Sequence, residues 1–387
     1  MTTLPQRFAS ALACLAVALA TIVAFSPAAL AEECDAESRD DKLGQTPWPL
    51  LRLQPERVWS LTRGAGVKVA VIDSGVGEHP VLDGQVTAYD LAADERGARC
   101  DMASHGTLVA GIIAGRETEE SPFHGLAPHA KILSYRVIEN MESSTSKDST
   151  LPVVNAVRQA IEDGADVINL SLTAIHTVAL EDAIEDAHKA GIVIVAAAGN
   201  RGANGKLEYP AAYDNVIAVA GIGKDGAHVD SSSIGDYVDI AAPGEEIDGP
   251  APAGDGYGRR EEGGTSFAAP YVSAAAALIK SYYPKATPDE IAARLMATAD
   301  HPAEGWNPIV GYGELNLYRA MTTVLPDKIV EPDRLLPVAA PEIATDDEAA
   351  ARAWALRFTM FAMIGVALAL LAKVVVPRGR ARRWRGR

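Results

Sequence analysis

Val69-Ala70-Val71-Ile72-Asp73-Ser74-Gly75 decides the fold of this 387-residue chain. Residues 67–72 are mostly β-branched and the run closes on an acid, the pattern of a parallel strand buried on both faces. Similar runs follow at 130–137, 167–172, 192–197, 216–220 and 238–241. Between several of them the apolar period lengthens. Residues 151–163 place Val154, Val157 and Ile161 on one helical face, and residues 180–190 do the same with Ile184 and Ala187. Gly164 and Gly191 stand where such helices terminate. Strands alternating with helices predict an α/β protein whose mostly parallel sheet is covered on both sides. A long small-residue helix is expected over 268–282. Another opens at Thr287, with Pro288 in its first position and Glu290 completing a capping box.

Composition agrees. Apolar residues make up 48% of the chain and aromatics only 6%, which suits close helix–sheet packing. The formal net charge of −16 averages unlike regions. Nine of the 35 cations lie outside residues 32–356, which leaves 26 against all 51 acids and a charge of about −25 on that segment. A surface of that sign repels nucleic acid.

The ends carry targeting signals. Arg7 precedes an apolar stretch over 9–25, and Ala29-Leu30-Ala31 is a small-x-small cleavage site, so residues 1–31 read as a signal peptide; the alternative is an uncleaved anchor. The exported chain then keeps Cys34 and Cys100, an even pair expected as a disulfide. Residues 32–63 form an N-terminal extension and 64–325 the main domain. Residues 326–356 are acidic and Pro-bearing, and read as an extended linker. Residues 357–377 hold a nearly uncharged run long enough to span a bilayer once. The Arg-rich tail at 378–387 belongs in the cytoplasm, which puts the main domain outside.

Three segments carry chemistry. Asp73 ends a buried strand. His105 opens His105-Gly106-Thr107-Leu108-Val109-Ala110-Gly111. Ser266 lies in Gly263-Gly264-Thr265-Ser266-Phe267-Ala268-Ala269-Pro270, a glycine loop feeding a helix. In a parallel sheet, strand C-termini and helix N-termini converge on one crevice, where residues distant in sequence meet. A serine hydroxyl is a weak nucleophile unless an imidazole takes its proton, and the imidazole needs its other N–H held by a carboxylate. Asn200, closing Ala196-Ala197-Ala198-Gly199-Asn200, is placed to donate to an oxyanion.

These segments resemble the signature motifs of the subtilisin-like (S8) serine peptidases over about residues 64–317. Within that family the chain is similar to mycosins, through Trp48-Pro49-Leu50, Cys100 just before His105, Phe267, Gly311-Tyr312-Gly313 and the C-terminal apolar run. The resemblance implies a serine endopeptidase with Asp73, His105 and Ser266 as catalytic triad and Asn200 in the oxyanion hole. It implies that Ser171-Leu172-Thr173 pairs with the substrate backbone, Thr173 replacing the usual glycine, while Ala197, Ala198 and Gly199 form the other wall of the P1 pocket. Protein or peptide substrates, a single membrane span and a type VII secretion membrane complex are the implied partners. The alternative is a structural subunit of such a channel with proteolysis secondary. No cofactor and no metal are expected, Glu117, Glu119 and Glu120 being read as a solvated acidic loop. The 32–63 extension is too short for an independently folding inhibitory propeptide and is expected to wrap the domain. Residues 139–148, polar and aperiodic, are expected as a mobile loop beside the cleft.

Overall fold

The structure is a computed structural model describing residues 34–92, 96–138, 150–203, 205–326 and 346–381. The expected signal peptide at 1–31 and the polar loop at 139–148 lie outside the described residues. In chain order the strands are β1 (Ser38–Arg39), β2 (Lys68–Asp73), β3 (Val86–Asp90), β4 (Lys131–Arg136), β5 (Val167–Leu170), β6 (Val193–Ala197), β7 (Ile217–Ile222), β8 (Ile240–Pro243), β9 (Ile247–Pro250), β10 (Ala253–Gly254) and β11 (Tyr257–Arg260). Seven form one sheet in the order β3-β4-β2-β5-β6-β7-β8, every pairing parallel. All six expected runs are strands of it. The seventh, β3, escapes sequence reading because it is a half-exposed edge with no continuous apolar run.

Alternation along the central strands builds two cores. Val69 and Val71 of β2 belong to one apolar cluster, Ala70 and Ile72 to the other. In β6, Val193, Val195 and Ala197 likewise face away from Ile194 and Ala196. The first cluster packs helices Gly106–Ala114, Thr265–Tyr282 and Pro288–Thr298; the second packs Thr150–Glu162 and Val178–Lys189. The result is three layers, helix–sheet–helix. Helix Thr265–Tyr282 is buried from Thr265 through Ile279, because Ala268, Ala269 and Ala274 to Ala277 let its backbone lie close on the sheet. It begins three residues earlier than expected, so Ser266 stands in its first turn. The capping box at Thr287 forms, Glu290 N–H donating to Thr287 Oγ1 and Thr287 N–H to Glu290 Oε2.

Residues of the N-terminal extension supply part of the core. Helix Trp48–Leu53 buries Trp48, Leu50 and Leu53 in the first cluster. Trp48 Nε1 donates to Glu245 O at 3.0 Å and Trp59 Nε1 to Leu126 O at 2.9 Å. Further upstream, β1 pairs in parallel with β10, and Cys34 is bonded to Cys100 with Cα atoms 5.6 Å apart.

The described residues 346–381 belong to a second unit of the chain. Its helix Asp346–Ala381 starts inside the stretch expected as linker and covers the apolar run at 357–377. Phe358, Phe361, Met363 and Leu370 are exposed on it. Several side chains of that run lie outside the described residues. Among the described residues no helix is long and apolar enough to cross a membrane, so the expected span rests on the sequence alone.

The Cys34–Cys100 bridge closes a loop with a sequence separation of 66 residues. Chain-entropy arguments put its contribution at about 4 kcal/mol. Cys100→Ser is therefore expected to lower Tm by several degrees and to expose residues 34–47 to proteolysis. Thermal denaturation with limited digestion measures both, and an unchanged Tm would show the extension to be held by its other contacts alone.

Candidate active site

Strand β2 lies between β4, which follows it at a distance in the chain, and β5, which continues on its other side. The order of connections reverses there, and a crevice opens at the carboxyl end of such a strand. Asp73 is the last residue of β2 and is fully buried. Its Oδ1 accepts from Ser74 N–H at 2.7 Å, from Ser74 Oγ at 3.1 Å and from His105 Nδ1 at 2.7 Å. With Nδ1 donating to the carboxylate, Nε2 is left as the basic nitrogen of the ring.

His105 is the residue that caps helix Gly106–Ala114, and Gly106 is obligatory beside it. A β-carbon there would sit 2.1 Å from Gly75 O, so only glycine lets helix and strand end approach this closely. Behind the pair stands a second fully buried carboxylate, Asp101. It accepts from Ser74 Oγ at 2.7 Å, Thr107 N–H at 2.9 Å, Thr107 Oγ1 at 2.6 Å and His105 N–H at 3.3 Å. Every partner is a donor, which favours the ionised form even though burial pushes the Asp101 carboxyl up. Ser104, left-handed at φ 51°, is held by Arg260, whose guanidinium donates to Ser104 O at 2.7 Å and Ala103 O at 3.1 Å.

Ser266 is 8% exposed in the first turn of helix Thr265–Tyr282. Pro270 lacks the N–H that would bond Ser266 O within the helix, and Ser171 Oγ donates to that oxygen instead, at 2.6 Å. Asn169 Nδ2 donates to Ser171 Oγ at 2.9 Å, and Asn169 Oδ1 accepts from Ser273 Oγ at 2.8 Å, tying β5 to the helix. Among the described residues no hydrogen bond links Ser266 Oγ to His105. The neighbouring Phe267 ring packs on the imidazole, centroids 4.9 Å apart. Catalytic contacts of this kind often tighten only with substrate bound.

Asn200 lies just beyond β6. Its Oδ1 accepts from Thr265 N–H at 2.9 Å and Thr265 Oγ1 at 3.0 Å. A backbone N–H can only donate, so the amide oxygen must face it, which turns Nδ2 away from Thr265. Thr265 Oγ1 also accepts from Gly199 N–H at 3.1 Å, joining the wall 197–199 to the serine loop. Ser171 and Leu172 follow β5 and are buried, whereas Thr173 is half-buried. Among the described residues no group of three or more His, Cys, Asp or Glu is placed to hold a metal.

Asp101, Ser74, Thr107, Asn169, Ser273 and Arg260 were not singled out from sequence. Only Asp101 left a signal, an acid four residues before His105 with a threonine two residues after it.

A parallel sheet of this order between two helical layers, with an imidazole–carboxylate pair at its switch point, is the subtilisin-like α/β architecture of serine endopeptidases. Residues 64–313 match the Subtilase family (Peptidase_S8), and the chain belongs to it. It is 37% identical over 308 residues to Mycosin-4 of Mycobacterium tuberculosis (strain ATCC 25618 / H37Rv), an alignment spanning 69% of this chain and 67% of that relative. Among solved structures it is similar to the serine protease MycP1, an essential component of the type VII (ESX-1) secretion system: TM-score 0.66, 31% identity, 75% of this chain and 93% of the other covered. It also aligns with a chain in the periplasmic assembly from the ESX-5 inner membrane complex, with TM-score 0.67 and 28% identity, covering 79% of this chain and 92% of that one.

The electrostatics set a pH dependence. Burial works to lower the His105 pKa, but Asp73, as charge and as hydrogen-bond acceptor, outweighs it with help from Asp101, against opposition from Arg260; the net position is above the ordinary imidazole value. With His105 in its expected role as general base, activity needs the neutral ring and should rise with pH through a limb above that ordinary value. Asp101→Asn removes one supporting charge, and its acidic limb in kcat/KM should move to lower pH. An unmoved limb would show that Asp101 has no electrostatic hold on the ring. Asp101→Ala, which orphans buried donors, should in addition cost on the order of 3 kcal/mol of stability by denaturant unfolding.

Proposed function

We propose that this chain is a membrane-anchored endopeptidase in which Ser266 attacks the scissile carbonyl, His105 transfers the protons and Asp73 orients and stabilises the imidazolium. The observation that carries the reading is the buried 2.7 Å contact between Asp73 and His105, at the strand end where helix Thr265–Tyr282 delivers Ser266. His105 Nε2 takes the hydroxyl proton as Oγ bonds to the carbonyl carbon. The oxyanion is met by the Ser266 N–H, free of an intrahelical partner in the first turn, and by Asn200 Nδ2. Collapse expels the amine, which receives the proton from His105, and a water repeats the sequence to release the acid.

Anchoring rests on the apolar run at 358–376 followed by six arginines within 378–387. The acidic main domain then faces the outside, where exported proteins are its substrates. The likeness to mycosins and to a chain of an ESX-5 periplasmic assembly supports association with a type VII secretion membrane complex. That second likeness favours a second reading, in which the domain also serves as a structural subunit of the complex.

A serine-directed fluorophosphonate should label the disulfide-bonded chain, and Ser266→Ala and His105→Ala should abolish labelling. A folded wild-type chain that does not react would remove the peptidase reading. Asn200→Ala should lower kcat by about 10²–10³ with little change in KM. Complementation of a deletion strain by Ser266→Ala separates the two roles: full rescue of secretion assigns the essential role to scaffolding, and failure with the complex intact assigns it to catalysis.

A further inference from the structure

Glu208 is a buried carboxylate that the reaction does not use, and it stands where the two walls of the expected P1 pocket meet. One wall, Ser171 to Thr173, runs on into Ala174, whose N–H donates to Tyr209 O at 2.7 Å. The other, Ala197 to Gly199, ends in a glycine that lies directly on the Glu208 stem. A β-carbon on Gly199 would fall 2.7 Å from Glu208 Cγ and 3.2 Å from its Cβ. A carboxylate at the floor of a deep open pocket would be wetted, yet Glu208 is only 4% exposed. Its Oε1 has no hydrogen-bond donor, and Arg201, the residue after Asn200, reaches it as an ion pair with Nε 3.3 Å away. Burial pushes the Glu208 carboxyl above the usual carboxylate range, against the opposing charges of Arg201 and Lys206.

We propose, resting on the peptidase reading above, that Glu208 plugs the P1 pocket between residues 171–173 and 197–199, so that cleavage follows short, uncharged side chains such as Gly, Ala or Ser. An aromatic P1 ring needs the space that the Glu208 stem fills. Moving the stem out would strip its packing on Gly199 and separate the ion pair. A P1 carboxylate meets Glu208 itself, and a P1 cation must displace Arg201, which is tethered beside Asn200. Short side chains ask for neither movement.

The test compares kcat/KM of the full chain, in detergent, on peptides differing only at P1: Ala, Phe and Lys. The wild type should prefer Ala over both by about tenfold or more. Glu208→Ala should lower the Ala-to-Phe ratio at least about tenfold by vacating the pocket, while Glu208→Gln, of equal volume, should keep it. A wild type that prefers Phe overturns the plug, as does a Glu208→Ala ratio that stays put. A Lys preference lost in Glu208→Gln would make the carboxylate a cation receptor and overturn it as well. Should Glu208→Ala fail to fold, the wild-type ratio and Glu208→Asp, one methylene shorter, decide by the same criterion. Fluorophosphonate labelling keeps the two readings apart. Labelled enzyme with the wrong P1 ratio rejects the plug alone, and absent labelling with no peptide cleaved rejects triad and plug together.

Discussion

An imidazole sealed from water stays basic and correctly oriented only if a carboxylate holds one of its nitrogens, and the 2.7 Å bond from His105 to Asp73 is that constraint here. Much of the surrounding architecture serves it. The parallel sheet puts Asp73 at a strand end in a crevice, and the glycine after His105 lets the helix come within contact of that end. Ser74 donates to both Asp73 and Asp101, so two buried acids share one hydroxyl and neither drifts. A lone carboxylate at this depth would be costly to ionise; a lattice of donors makes the charge tolerable.

The serine side shows a different economy. Proline inside helix Thr265–Tyr282 removes the backbone bond to Ser266 O, and a hydroxyl from Ser171 restores it. Because Ser171 also belongs to the segment expected to hold substrate, that segment and the proposed nucleophile Ser266 are tied to one another through a single oxygen. Thr265 does the same between the serine loop and the wall that ends in Asn200.

The sheet was legible because its strands are buried on both faces and therefore read as unbroken β-branched runs. The edge strand β3 was not, since half exposure erases that signal. The motifs around Asp73, His105 and Ser266 raise the expectation of a triad, and of it the structure shows the Asp73–His105 contact. Asp101 and Arg260 act on backbone atoms and on a neighbour's hydroxyl, contacts that depend on tertiary closure and leave little trace in local composition. Glu208 was hidden for the same reason: nothing in Leu207-Glu208-Tyr209 says that the stem lies under Gly199. The serine helix was placed three residues late because its glycine-rich entry resembles a loop until Gly264 is seen to cap it.

The pairing of β1 with β10 joins residues 38 and 253, and β11, which carries Arg260, follows immediately. The turn before His105 is thus braced by chain that emerges after most of the domain has been made. Asp101 sits next to a cysteine whose bond closes only where thiols are oxidised. Synthesis order follows from this: a nascent chain still short of its second half holds Asp73 and His105 but lacks both the brace on this turn and the helix that carries Ser266.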